Sequence, residues 1–241
     1  FHIEAPDGWT QGRTLYGGMT AALCAEAARR KFGELPPLRS AQFAFTGAAA
    51  GRLRFDLKLI RQGRSSSFVA VDAHADGGQV ARALLAYGAA RESQVAHDSA
   101  AIPDVPRPED CPPFFDAPRG GFFQNFEMRL ATGARPLAGG EPAFTVWVRH
   151  LDDAGVDPVV SLLALADSLP PAAMVAFPAP APISTVTWSV DILQPVEAGD
   201  WRLLSSASEQ AAEGYSVQAM SLWTREGRRT AVGRQTVAIF A

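Results

Sequence analysis

The chain has 241 residues, enough for one large domain or for two of about 120. Hydrophobic residues make up 47% and charged residues 20%, a globular balance that excludes a disordered chain and calls for a real core. The net charge of −3 supplies no positive field for phosphate backbones or anionic lipid, so nucleic acid is not an expected partner.

In chain order, Thr14 to Phe32 is expected to be helical: it is rich in alanine and ends on Arg29-Arg30-Lys31, whose charges complement a helix dipole. Ala41, Phe43 and Phe45, then Leu53, Phe55, Leu57 and Leu59, alternate with polar residues and predict strands with one buried face. A strand from Ser65 to Ala75 reverses at Asp76-Gly77-Gly78 and returns from Gln79 to Ala90, because Asp-Gly between β runs signals a hairpin. Residues 1–100 therefore read as one unit.

Six prolines between Ala101 and Pro118 forbid a helix or central strand, so 101–118 is assigned as an extended connector. Residues 119–241 repeat the plan. A strand pair is expected at Phe122 to Ala131 and Ala143 to His150, and a helix from Asp157 or Pro158 to Leu169. Four strands follow, at Ile183 to Leu193, Trp201 to Ala211, Tyr215 to Arg225 and Thr230 to Phe240. The run Val159 to Ala166 is apolar on all sides, which requires an enclosed helix. A long antiparallel sheet wrapped around a helix meets that requirement, in an α+β fold.

Cys24 and Cys111 are too few for a disulfide framework, which fits a reducing, cytoplasmic setting. No segment reaches the roughly 20 apolar residues of a membrane span, and Phe1-His2-Ile3-Glu4 lacks a signal pattern. His2, His74, His97 and His150 show no metal spacing, and no dinucleotide or P-loop glycine pattern occurs, so neither a metal nor a cofactor is expected. There is no Gly-x-Ser-x-Gly elbow for a covalent acyl-enzyme.

Tyr16-Gly17-Gly18 opening the first helix, and Arg61-Gln62-Gly63-Arg64-Ser65 turning into a strand, resemble motifs of the double-hotdog acyl-CoA thioesterases of the bacterial thioesterase II (TesB-like) kind. The resemblance runs from about Tyr16 to Phe240 and implies two tandem hotdog domains, an acyl-CoA substrate hydrolysed to free acid and CoA, and a homodimer or higher assembly. It also implies a water held by an aspartate on the second helix, a threonine in the next strand and a glutamine in the last. The matching positions are Asp167, Thr185 and Gln235. After its threonine the family carries Asp-His and an aromatic run, where this chain has Thr187-Trp188-Ser189, which leaves substrate preference open.

The residues allow that chemistry without dictating it. An enclosed Asp167 needs hydrogen-bonding partners and has a raised pKa, which suits a general base; at the end of the helix it could equally face solvent. Gln235 shares strand phase with Val237 and Ile239, so it faces the helix if they do. Gly17 and Gly18 could offer backbone N–H groups to the thioester oxygen, or simply allow a tight turn. Arg61 and Arg64 could meet CoA phosphates or be ordinary turn charges. Glu26 is a rival carboxylate, but Arg29 and Arg30 lie at ion-pair spacing from it.

The first helix offers Leu23, Cys24 and Ala25 where the second has Asp167, which implies one site per chain. Pro170 to Pro182 either lines an acyl tunnel or is a surface loop. The competing functions are a hotdog enoyl-CoA hydratase or dehydratase, for which His150 and Asp152 are the candidate His–Asp pair, and a non-catalytic acyl-CoA binder.

Overall fold

A computed structural model describes residues 1–98, 100–197 and 199–240. The first half opens with short strands β1 (His2–Glu4), β2 (Thr10–Gln11) and β3 (Thr14–Leu15). Helix α1 (Gly17–Phe32) follows, then β4 (Leu38–Phe45), β5 (Arg52–Gln62), β6 (Ser66–Ala75) and β7 (Gly78–Gly88). The second half runs through β8 (Phe126–Gly133), β9 (Ala143–His150) and helix α2 (Pro158–Ala166). It ends with β10 (Ile183–Ile192), β11 (Arg202–Ala212), β12 (Tyr215–Thr224) and β13 (Arg229–Ile239).

Eleven of these strands form one antiparallel sheet in the order β1-β5-β6-β7-β4-β10-β13-β12-β11-β9-β8, so the halves join where β4 pairs with β10. α1 packs on β5, β6 and β7, α2 packs on β9, and the helices pack on each other. This is the double hotdog architecture. The two helices run antiparallel: Gly18 of α1 meets Ala164 near the end of α2, while Arg29 late in α1 feels the charge of Asp157 at the start of α2. Among the described residues no helix is long and apolar enough to cross a membrane.

Local chemistry explains the element ends. α1 begins at Gly17 rather than Thr14, because Thr14–Leu15 pairs with Thr10–Gln11 and Tyr16 stays extended. Asp157 caps α2 through bonds from the Val159 and Val160 N–H groups, with Pro158 in the first helical position, where its missing donor costs nothing. α2 stops at Ala166 rather than Leu169, since Pro170 and Pro171 cannot continue it. Residues Gly121–Asn125 form a 3₁₀ turn instead of the expected start of β8. Tertiary packing decides this: Phe122 stacks on Tyr16 with ring centres 4.1 Å apart, and Gly121, at φ +67°, leaves no room for a Cβ against the Thr10 carbonyl.

One main core spans both halves, and a smaller cluster of Cys111, Trp147, Trp201, Leu203 and Trp223 lies apart from it. Leu203 and Leu204, neighbours on β11, are both fully buried, so both faces of the sheet are covered there. The cover on the second face is the proline-rich stretch: Ile102 and Val105 pack on the smaller cluster, and Trp147 Nε1 donates to the Pro106 carbonyl at 2.9 Å. Further on, Leu130 N–H donates to Pro112 and Phe114 N–H to Met128, so the stretch runs beside β8 as a short sheet edge. Phe114 is fully buried against Phe144. Phe114→Ala should therefore destabilise the protein by about 3–5 kcal/mol, as for a core aromatic, in denaturant unfolding; a loss below about 1 kcal/mol would mean that the stretch is a dispensable tether.

Candidate active site

A cavity of about 950 Å³ lies between the halves, large enough for a small-molecule ligand. Its walls come from residues before and within α1, from Phe45 and Val80 of the first sheet half, and from Phe115, Phe122 and Phe123. Residues 170–182 contribute to the wall: Pro170, Pro171, Met174 and Pro180 to Pro182 line the cavity, Ala172, Ala173 and Val175 anchor the segment in the protein, and Pro178 and Ala179 are exposed.

Asp167 sits on this cavity as the C-terminal cap of α2. It does not point into bulk solvent. It keeps a strip of surface toward the cavity while protein packs densely around its carboxyl, and the N-terminus of α1 lies across from it. Both glycines are needed for that approach. A Cβ on Gly17 would fall 2.6 Å from Asp167 Oδ2, and one on Gly18 would fall 2.8 Å from the Ala164 carbonyl and 2.6 Å from the Tyr16 ring. Tyr16 completes the seam by donating its hydroxyl to that same Ala164 carbonyl.

Gln235 is buried on β13 beside Val237 and donates its side-chain N–H to Asp167 Oδ1. Thr185 shares that face through a β-bulge. Thr185 pairs with Val237 but Thr187 pairs with Thr236, so Val186 is the extra residue. Counting back in twos from buried Trp188 would turn Thr185 outward; the bulge reverses the phase, and directly opposed residues share a face, so Thr185 joins Val237 and Gln235 toward the cavity. Asp167, Thr185 and Gln235 thus line one cavity. A fourth polar side chain escaped the sequence reading: Gln218 of β12 is buried, donates to Gln235 Oε1 at 2.5 Å and accepts from the Ala172 N–H at 2.9 Å. Its inward phase with Ser216, Met220 and Leu222 was the available signal.

Burial pushes the Asp167 carboxyl up from 3.8 to about 7, against the bond from Gln235 and the N–H of Gly18, both of which favour the charged form. The negative end of α2 acts in the same direction as burial. The result is a carboxyl poised to exchange a proton near neutral pH.

The other candidates lie elsewhere. Arg61 and Arg64 are exposed at the β5–β6 turn and do not line the cavity. Ser67 opposite that turn pairs with Tyr87, whereas the cavity touches β7 at Val80, roughly 23 Å away along the strand. The cations that line the cavity itself are Arg119 and Arg135. Glu26 is held by Arg29 and Arg30, which lower its pKa. His150 faces the Ser161 carbonyl at 3.0 Å, outside the cavity lining, and Cys24 is buried with its thiol pushed up to about 12.

The Asp167 shift has a thermodynamic consequence. The folded protein holds this proton more tightly than the unfolded chain between pH about 4 and about 7, so the wild type loses stability as pH rises through that window. Asp167→Asn has no such proton. Its melting temperature relative to wild type should climb across the window and level off above it; a pH-independent difference would mean an unshifted carboxyl.

A model of the acyl-CoA thioesterase N-terminal domain matches residues 5–88, and one of the acyl-CoA thioesterase C-terminal domain matches residues 108–239. A search of curated protein sequences gave no match. Among solved structures, a conserved hot dog fold protein of unknown function from Alicyclobacillus acidocaldarius is 26% identical with a TM-score of 0.91, over 100% of this chain and 92% of that one. A protein provisionally named a thioesterase from Novosphingobium aromaticivorans is 25% identical with a TM-score of 0.85, over 100% and 95%. The acyl-CoA thioesterase II TesB2 of Mycobacterium marinum shares the fold at 22% identity and a TM-score of 0.79, over 93% and 89%. With both halves matched by its domain models, the chain belongs to the acyl-CoA thioesterase family.

Proposed function

We propose that the protein hydrolyses acyl-CoA thioesters to the free acid and CoA, with Asp167 activating water directly and no acyl-enzyme. The observation that carries this reading is the Asp167 carboxyl: it lines a large cavity, receives the Gln235 amide and has its pKa raised to about 7. An ionised Asp167 takes a proton from a water held by the Thr185 hydroxyl and the second N–H of Gln235, and the water oxygen bonds to the thioester carbonyl carbon. The Gly17 N–H, at the positive end of α1, meets the oxygen as it gains charge. Collapse breaks the C–S bond, and the proton on Asp167 passes to the departing thiolate.

The alternatives have less support. A hydratase would call on a histidine in the cavity, but His150 turns to the Ser161 carbonyl and none of His2, His74, His97 and His150 lines it. A passive binder has no use for a carboxyl buried at such a cost in desolvation. Each half supplies part of the site, α1 from the first and Asp167, Thr185 and Gln235 from the second, which fits two hotdog units acting as one enzyme with a single site.

Thiol release from acyl-CoAs of several chain lengths tests the proposal. Wild type should hydrolyse at least some of them, with activity rising through pH about 7, and Asp167→Asn should lower kcat by roughly 100-fold or more, as for a lost general base. Equal rates in the two proteins would remove the mechanism, and addition of water across an enoyl-CoA without thiol release would point to the hydratase.

A further inference from the structure

We propose that Gln218 is a positioning residue for this reaction: it fixes which way the Gln235 side-chain amide faces, so that Asp167 and the attacking water meet its N–H end and not its carbonyl end. This rests on the hydrolytic reading above.

A glutamine amide has a donor end and an acceptor end of nearly equal size, so only its partners decide its orientation. Here the decision starts from the main chain. The Ala172 N–H can only donate, so the Gln218 atom 2.9 Å from it must be the acceptor Oε1. Gln218 Nε2 is then left to donate, and the Gln235 atom 2.5 Å from it must be Oε1. Gln235 Nε2 is thereby turned to Asp167 Oδ1. Each link forces the next, and both glutamines are buried, so bulk water does not compete for either amide.

Asp167 could not impose this orientation alone. An ionised carboxylate demands a donor, but a carboxyl that titrates near neutral pH is protonated for much of the time, and its O–H would bond the carbonyl end of Gln235 equally well. A flipped amide would offer the next water an acceptor in place of a donor and would favour the protonated acid. Gln218 removes that choice in both protonation states. Ala172 also opens the turn Ala172–Ala176 that carries Met174 into the cavity wall, so the amide is referenced to that wall.

The test compares wild type, Gln218→Met, Gln235→Met and the double variant of the full chain by steady-state kinetics. Gln218→Met should lower kcat about tenfold with KM within about twofold, the pattern of a lost transition-state interaction, and should move the acid limb of the kcat–pH profile upward, because Asp167 loses a fixed donor. The double variant should be no slower than Gln235→Met alone, since one residue acts through the other. Additive losses, or a Gln218→Met enzyme with unchanged kcat and acid limb, would overturn the proposal.

Should Gln218→Met fail to fold, Gln218→Glu keeps the size and can donate to Gln235 Oε1 only while protonated. Its rate relative to wild type should then change with pH, and a constant ratio overturns the proposal. Asp167→Asn in the same assay separates the two ideas. A fully active Asp167→Asn defeats the hydrolytic reading, whereas an inactive one beside a fully active Gln218→Met removes only the role of Gln218.

Discussion

The site depends on one electrostatic compromise, a carboxyl buried where the C-terminal end of α2 meets the N-terminal end of α1. Burial and the negative end of its own helix favour the neutral acid, while the Gln235 amide and the Gly18 N–H favour the anion. Neither side wins outright, and the carboxyl settles near 7. Gly17 and Gly18 make the compromise possible, because any side chain there would strike the carboxyl or force the two helices apart.

That geometry needs both halves. α1, which carries the glycines, has buried Leu23, Cys24 and Ala25 within it and no acid facing this cavity; α2 carries the acid but has no close glycine pair at its own start. The antiparallel helix pair under one continuous sheet brings the two incomplete sets together. The cavity opens along this seam, so the carboxyl lies on a wall built from both halves.

Much of the fold was legible because it rests on local periodicity. The alternating strands, the Asp76-Gly77 hairpin and the enclosed α2 with its Asp157 cap all follow from pattern and capping chemistry. What was not legible depended on tertiary contact. The 3₁₀ turn at Gly121–Asn125 exists because Phe122 stacks on Tyr16, and the proline-rich stretch is a cover because three tryptophans lie beneath it. In the site, the inward phase of Gln235 could be read from its strand. The orientation of Thr185 could not, since the bulge at Val186 sets it. The arginine motif around Gly63 was visible, but its distance from the cavity follows only from register.

Carboxyl-carbon NMR of the full chain reads the titration of Asp167 directly, with Asp167→Asn assigning the signal. A midpoint near 7 is the value this geometry requires. A midpoint near the ordinary aspartate value of about 4 would mean that the carboxyl is solvated, and would leave the chain with the fold of its family but without a base to run the chemistry.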